Sequence, residues 1–381
     1  MDISYILNHL GEDREHYFNA VAPPIIQSSN FCFKDVNSFR LAIENESKMP
    51  IYSRGCNPTV TILRKKLAAL EGADDALVFA SGSAAIASAV MSCVKGGDHV
   101  ICVNKPYSWT TALLNDYLVN YNVTTTMVDG THTENFEKAI LPNTKLIVLE
   151  SPNTFTLELQ DLEAISKIAK KHGITTMIDN SYSTPLNQKP LALGIDIVVY
   201  SGSKYFGGHS DLVAGVICSS KERIHEIFSK EFMTLGAIIS PHDAWLMLRG
   251  IRTLELRVNR SAESAQKVVN HLEKHPKIEK VFYPFASKNE QLSLAKKQMK
   301  QGSGLLTVLI KAKSVEDIET FCNSLKCFLL AVSWGGHESL IFPICAGKAP
   351  YTLPWNMVRL YIGLENPEEL IADIDNALDK I

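Results

Sequence analysis

From Thr59 the apolar positions Val60, Leu63, Leu67 and Leu70 recur at helical spacing and Gly72 ends the run, which predicts a helix. Downstream, short apolar, β-rich runs alternate with helical patterns. The runs are Ala76 to Phe79, Val100 to Val103, Thr124 to Val128, Lys145 to Leu149, Thr175 to Ile178, Ile197 to Tyr200 and Leu212 to Ile217. Runs apolar on both faces, separated by helices such as Leu162 to His172, predict a mainly parallel sheet covered on both sides. An α/β large domain is therefore expected over 58–240. A long helical pattern from Asp243 to about His271 is expected to lead into a smaller α+β domain over 241–381. Its strands are predicted near Val281 to Tyr283, Gly304 to Leu309, Phe328 to Val332 and Val358 to Ile362, with a closing helix from Glu368 to Leu378. Residues 1–57 mix turn signals with short extended pieces and show no sustained helical period, so an arm rather than a domain is expected.

At 381 residues, two domains are a better expectation than one core. Hydrophobic residues make up 46%, charged residues 21%, and the net charge is −3. That balance offers no broad attraction to nucleic acid and turns attention to small ligands. The eight cysteines are dispersed with no CxxC pair, which reads as reduced thiols. The opening residues lack a basic stretch followed by a long apolar one, and no run reaches the ~18 apolar residues of a membrane span, so a cytoplasmic location without membrane contact is expected. No metal site is implied.

Candidate chemistry gathers at strand ends. Ser201-Gly-Ser-Lys-Tyr-Phe-Gly-Gly follows a buried strand, placing Lys204 where an α/β sheet presents ligands. A Schiff base needs an amine that can lose its proton, and burial shifts lysine that way. A surface lysine in a turn fits this segment equally well. Asp179 ends another predicted strand, where a carboxylate could keep a cofactor ring nitrogen protonated or merely cap a turn. Ser81-Gly82-Ser83 links a strand to a helix and suits an anion or a plain N-cap. Arg359 lies in an apolar strand and should meet a carboxylate, either of the protein or of a substrate.

Taken in order, Tyr52-Ser-Arg-Gly-Cys-Asn-Pro-Thr59, Ala80-Ser-Gly-Ser-Ala-Ala-Ile86, Tyr107, Glu150-Ser-Pro152, Asp179-Asn180, Ser201-Gly-Ser-Lys204, Gly208-His-Ser-Asp211, Arg249-Gly-Ile-Arg-Thr-Leu254 and Arg359 with Gly363-Leu-Glu365 resemble the Cys/Met-metabolism family of pyridoxal 5′-phosphate (PLP) enzymes. The resemblance covers nearly the whole chain. It implies a large domain of the aspartate aminotransferase fold type I, with the smaller α+β domain behind it. It also implies that Lys204 carries PLP, that Asp179 meets the ring nitrogen and that Tyr107 stacks on the ring. Gly82, Ser83, Ser201 and Ser203 would hold the phosphate, and Tyr52 and Arg54 would reach the phosphate of a neighbouring subunit. A homo-oligomer, a dimer commonly doubled to a tetramer, follows from that. Arg359 would clamp the substrate carboxylate with Ser333 assisting, and Trp334 would pack at the substrate mouth. Lys204 and Tyr107 are the expected catalytic groups.

The chain departs from the family pattern at Asn153, displaced by one from the Asn that normally contacts the cofactor's phenolic oxygen, and at Tyr107-Ser-Trp-Thr110, which adds bulk beside the tyrosine. Ser203 stands where Thr is more frequent. Ser333-Trp-Gly-Gly-His-Glu-Ser-Leu340 and Val358-Arg-Leu-Tyr-Ile-Gly-Leu-Glu365 look like bacterial cystathionine β-lyases, whereas Tyr52-Ser-Arg with Asn57-Pro-Thr59 looks like γ-active members and sulfhydrylases. The β-lyase reading, giving homocysteine, pyruvate and ammonia from cystathionine, is the leading expectation. The alternatives are a methionine or cystathionine γ-lyase, and a γ-synthase or O-acylhomoserine sulfhydrylase. An aminotransferase fits the tyrosine–arginine pair poorly, and a non-catalytic PLP-fold protein fits the retained Lys204, Asp179 and Arg359 poorly.

Overall fold

The computed structural model describes residues 1–381. Strands β1 (Asp75–Phe79), β2 (His99–Val103), β3 (Thr124–Val128), β4 (Thr144–Glu150), β5 (Thr175–Asp179), β6 (Ile197–Ser201) and β7 (Gly215–Ser219) form one sheet in the order β1-β7-β6-β5-β4-β2-β3. Strand β7 runs antiparallel to both neighbours, and every other adjacent pair is parallel. Period-two alternation feeds two cores. Val100, Cys102, Leu146, Val148, Ile197 and Val199 face one, and Ile101, Val103, Ile147, Leu149, Val198 and Tyr200 face the other. Burial on both faces is why these strands read as continuous apolar runs.

A second sheet, in the order β10-β11-β12-β9-β8, is built from β8 (Ile278–Phe282), β9 (Leu305–Ile310), β10 (Leu329–Leu330), β11 (Leu340–Pro343) and β12 (Met357–Tyr361). It packs against the helices Leu254–Leu272, Val315–Ser324 and Pro367–Leu378 around its own core. The chain thus has the expected fold, a mostly parallel sheet covered by helices with a smaller α+β unit after it. No helix is long and apolar enough to cross a membrane.

Three expectations need correction. The arm contains two helices, α1 (Ile3–Asn8) and α2 (Val36–Glu44). α1 is too short to show a period, yet Ile6 and Leu7 are buried against helix α3 (Pro58–Glu71) in the core of the large sheet. The long helix is two, Pro241–Ile251 and Leu254–Leu272. At the break Thr253 leaves helical geometry, and the Arg257 guanidinium takes the Gly250 and Tyr205 carbonyls at 2.7 and 2.8 Å. That guanidinium replaces backbone donors the break removes. Strand β11 escapes pattern reading because its four residues, Leu-Ile-Phe-Pro, neither alternate nor extend past the proline.

The N-terminal segment is held by a buried ion cluster. Glu12, whose side chain is fully buried, pairs with Lys66 of α3 at 3.0 Å, with Arg252 at 3.0 Å and with Arg14 at 2.7 Å. Lys66 also donates to the carbonyls of Ile6 and Leu7. Removing one member of such a cluster strands the others in low dielectric. Glu12→Ala is expected to lower stability by about 3–5 kcal/mol in urea denaturation.

Candidate active site

Strands β4, β5 and β6 end side by side, where an open parallel sheet presents ligands. Glu150 and Asp179 are register partners on adjacent parallel strands, so both carboxylates face the same side. Glu150 accepts the Tyr107 amide at 2.6 Å and the Thr154 hydroxyl at 2.6 Å. Asp179 accepts the Ser181 amide at 2.9 Å and forms no ion pair. Burial, with Asp179 alongside, pushes Glu150 up to about 8. Burial also raises Asp179 above the usual carboxylate range, opposed by Ser181 and Lys204. Two carboxylates this close and out of water call for a proton or a cation between them.

Lys204 lies just beyond the end of β6. Its Nζ donates to the Ser333 hydroxyl and sits 5.5 Å from the centre of the Trp334 ring. Burial, then the nearby Arg359 charge, pushes the ammonium down to about 8, with Asp179 opposing. An amine so shifted reaches its nucleophilic, neutral form close to neutral pH. The loop carrying Ser333 is seated on the lysine's own backbone. At Gly335, with φ +89°, a Cβ would stand 2.9 Å from the Tyr205 nitrogen and 3.0 Å from the Lys204 Cα. Only glycine fits there. Trp334 packs on Tyr205, ring centres 5.7 Å apart.

Arg359, on β12 and 8% exposed, forms no ion pair with any carboxylate of the chain. Its guanidinium packs on the rings of Phe155 and Phe342, 4.8 and 5.4 Å from their centres, and the two rings pack on each other at 5.9 Å. Burial pushes it down to about 10, with Glu150 opposing. The choice left open by the sequence narrows: no protein carboxylate takes this guanidinium, and it stands near the Lys204 amine with its charge uncompensated.

The family model for Cys/Met metabolism PLP-dependent enzymes matches residues 5–379. The chain belongs to this family. Among its relatives, the L-methionine gamma-lyase of Porphyromonas gingivalis is 40% identical, over 96% of this chain and 94% of that protein. The cystathionine gamma-lyase of Bacillus subtilis is 34% identical over 99% of each. The L-alanine/L-glutamate racemase of Wolbachia pipientis is also 34% identical, over 99% of this chain and 96% of that one. The crystal structure of metB from Corynebacterium glutamicum superposes with a TM-score of 0.93 at 33% identity, covering 100% of this chain and 98% of that one.

As a member of this family the chain is a PLP-dependent enzyme, and its residues fit that cofactor. Helix α4 (Gly82–Met91) opens at the Ser81 cap, with the Ser83 hydroxyl exposed and Gly82 against Ser201. A Cβ at Gly82 would come 3.1 Å from the Ser201 side chain, so glycine keeps this cradle of amides and hydroxyls open. The unpaired, half-buried Asp179 suits a protonated ring nitrogen, and the shifted Lys204 suits a carbonyl carbon.

The remaining expected residues divide. Tyr107 is half-buried before the helix Ser108–Ala112, with its amide held by Glu150, and Trp109 beside it is 64% exposed. Ser203 turns its hydroxyl to the Ala214 backbone, accepting that amide at 3.0 Å. Tyr52 and Arg54 are exposed and stacked on each other at 5.6 Å, with no hydrogen bond to Lys204, Ser83 or Ser201 of their own chain. Asn153 is engaged by Thr156 and Glu158 within its own turn, and it is Thr154 that reaches the carboxylate pair. Sequence reasoning assigned no role to Glu150, Phe155 or Phe342. Glu150 carried a usable signal, since it ends the strand preceding that of Asp179. The two phenylalanines, 187 positions apart in the chain by their numbers, carried none.

Proposed function

We propose that the chain is a γ-lyase that cleaves the bond between the γ-carbon and sulfur of methionine or cystathionine. The observation that carries this is whole-length similarity to L-methionine gamma-lyases at 36–40% identity, with the cystathionine gamma-lyase of B. subtilis alongside. The cystathionine β-lyase expectation drawn from Ser333 to Leu340 has less support than this alternative.

In the proposed reaction Arg359, backed by the Phe155 and Phe342 rings, receives the substrate α-carboxylate, with the Ser333 hydroxyl assisting. That contact turns the Cα–H bond toward Lys204. The Lys204 amine takes the Cα proton, would give that proton up to the bound cofactor to become neutral again, and then takes a proton from Cβ, so that the thiolate at Cγ can leave. Tyr107 stacks beside the ring and supplies a proton to the departing sulfur. Bound PLP supplies the electron sink for the charge left at carbon. Asp179 keeps a proton at the ring nitrogen, and Glu150 fixes the Tyr107 backbone. Gly82, Ser83 and Ser201 hold the phosphate with Ser203 behind them, and Tyr52 and Arg54 serve the phosphate of a second copy of the chain. Trp334 walls the mouth of the pocket.

Incubation with L-methionine and with L-cystathionine, followed by identification of the oxo acid, tests this. The expected product is 2-oxobutanoate from both. Pyruvate from cystathionine would restore the β-lyase reading, and D-amino acid without any oxo acid would favour racemisation.

A further inference from the structure

Beneath the two carboxylates lies a buried chain of side chains that the reaction above does not use. Gln188 donates through Nε2 to the Asn180 side-chain oxygen at 2.8 Å and to the Ser151 carbonyl at 2.9 Å. Asn180 donates through Nδ2 to the Tyr200 hydroxyl at 3.0 Å and to the Gln188 carbonyl at 3.2 Å. The Tyr200 hydroxyl donates in turn to Glu71, the last residue of α3. Every one of these residues is buried to 2% exposure or less.

Each of the three residues the chain grips on the sheet adjoins a site residue in sequence. Ser151 follows Glu150, Asn180 follows Asp179 and Tyr200 precedes Ser201. The β4–β5 ladder ends at the pair Glu150 and Asp179. Beyond that point the Gln188 and Asn180 amides take over as the link between strand ends, joined by the Asn180 amide donating to Val199 at 2.9 Å. They hold together the strand ends that carry Glu150 and Asp179.

Stability alone does not account for this chain. Glu71 Oε1 and Gln188 Oε1 have no hydrogen-bond partner, and apolar residues of the same shape would avoid that cost. We propose that the Gln188–Asn180–Tyr200–Glu71 chain positions Asp179 and Glu150 for the cofactor ring, making Tyr200 and Asn180 positioning residues. The proposal rests on the reading of Asp179 as the partner of the ring nitrogen.

Three holoenzyme variants test it: Tyr200→Phe, the double variant Glu71→Met with Tyr200→Phe, and Asp179→Asn. The readouts are visible circular dichroism of bound PLP, which reports ring orientation, the rate of PLP loss on dilution, and melting temperature. Tyr200→Phe should speed PLP loss about fivefold, the equivalent of one hydrogen bond, and weaken the dichroic band. The double variant removes the stranded carboxylate, leaves Lys189 on the Leu70 carbonyl without its Glu71 counter-charge, and should melt above Tyr200→Phe alone while still losing PLP faster than the parent. Recovery of both the dichroic band and the retention rate in the double variant would overturn the proposal, because a merely structural role would be repaired with stability. Asp179→Asn separates the two levels. If it leaves the band and the retention rate unchanged, the reading of Asp179 fails; if it alone perturbs them, only the positioning chain fails.

Discussion

Lys204→Ala is expected to lower turnover by about 10²–10⁴-fold, the range associated with losing a positioned proton-transfer group, and to abolish the visible band of lysine-bound cofactor. The argument begins with burial. An ordinary lysine with pKa 10.4 is neutral in about one molecule in 2,500 at pH 7, whereas a group at about 8 is neutral in roughly a tenth. Capture of PLP by cofactor-free protein should therefore accelerate from pH 6 to 8 and level off above. The sign follows from the causes: burial and the Arg359 charge both disfavour the ammonium, and only Asp179 favours it. Neutralising Arg359 should move the inflection upward. Stopped-flow absorbance across pH measures the capture rate, and steady-state assays measure the loss in turnover.

Arg359→Ala is expected to cost about 10²–10³-fold in kcat/KM, the range for truncating one partner of a buried, hydrogen-bonded charge pair. The guanidinium is held by two aromatic faces rather than by a carboxylate, so its charge remains available to a ligand. In the proposed reaction the same contact aims Cα–H at Lys204, so KM should rise and kcat should fall together. Arg359→Lys should recover little, since an ammonium offers a point charge in place of a planar fork that packs on the Phe155 and Phe342 rings and can meet a carboxylate with two parallel donors. Steady-state kinetics on the three proteins decides it. If Arg359→Ala keeps kcat/KM within a few-fold of the parent, the guanidinium does not receive the substrate carboxylate.

The strands of the large sheet were legible because both faces are buried, and the positions of Asp179 and Lys204 at strand ends followed from them. The antiparallel direction of β7 was not, since direction leaves no mark on a buried apolar run. The helix break at Arg252 and Thr253 was invisible because Arg257 bridges the Gly250 carbonyl of the first helix to the Tyr205 carbonyl from elsewhere, a partly tertiary substitution for local hydrogen bonds. The aromatic pair on Arg359 was invisible because its rings come from a loop after β4 and from β11. The motif from Ser333 to Leu340 suggested a β-lyase, yet its residues serve packing near the lysine. Ser333 meets Lys204, Gly335 sits on the Lys204 backbone, and Glu338 accepts from Ser210.

The most direct test of the central claim is proton exchange into L-norvaline, which has a γ-carbon but no leaving group, followed by NMR in D₂O. A γ-lyase must move protons at both carbons, so Lys204 should exchange the α- and β-hydrogens alike. Exchange confined to Cα would contradict the account, pointing instead to β-elimination or to racemisation.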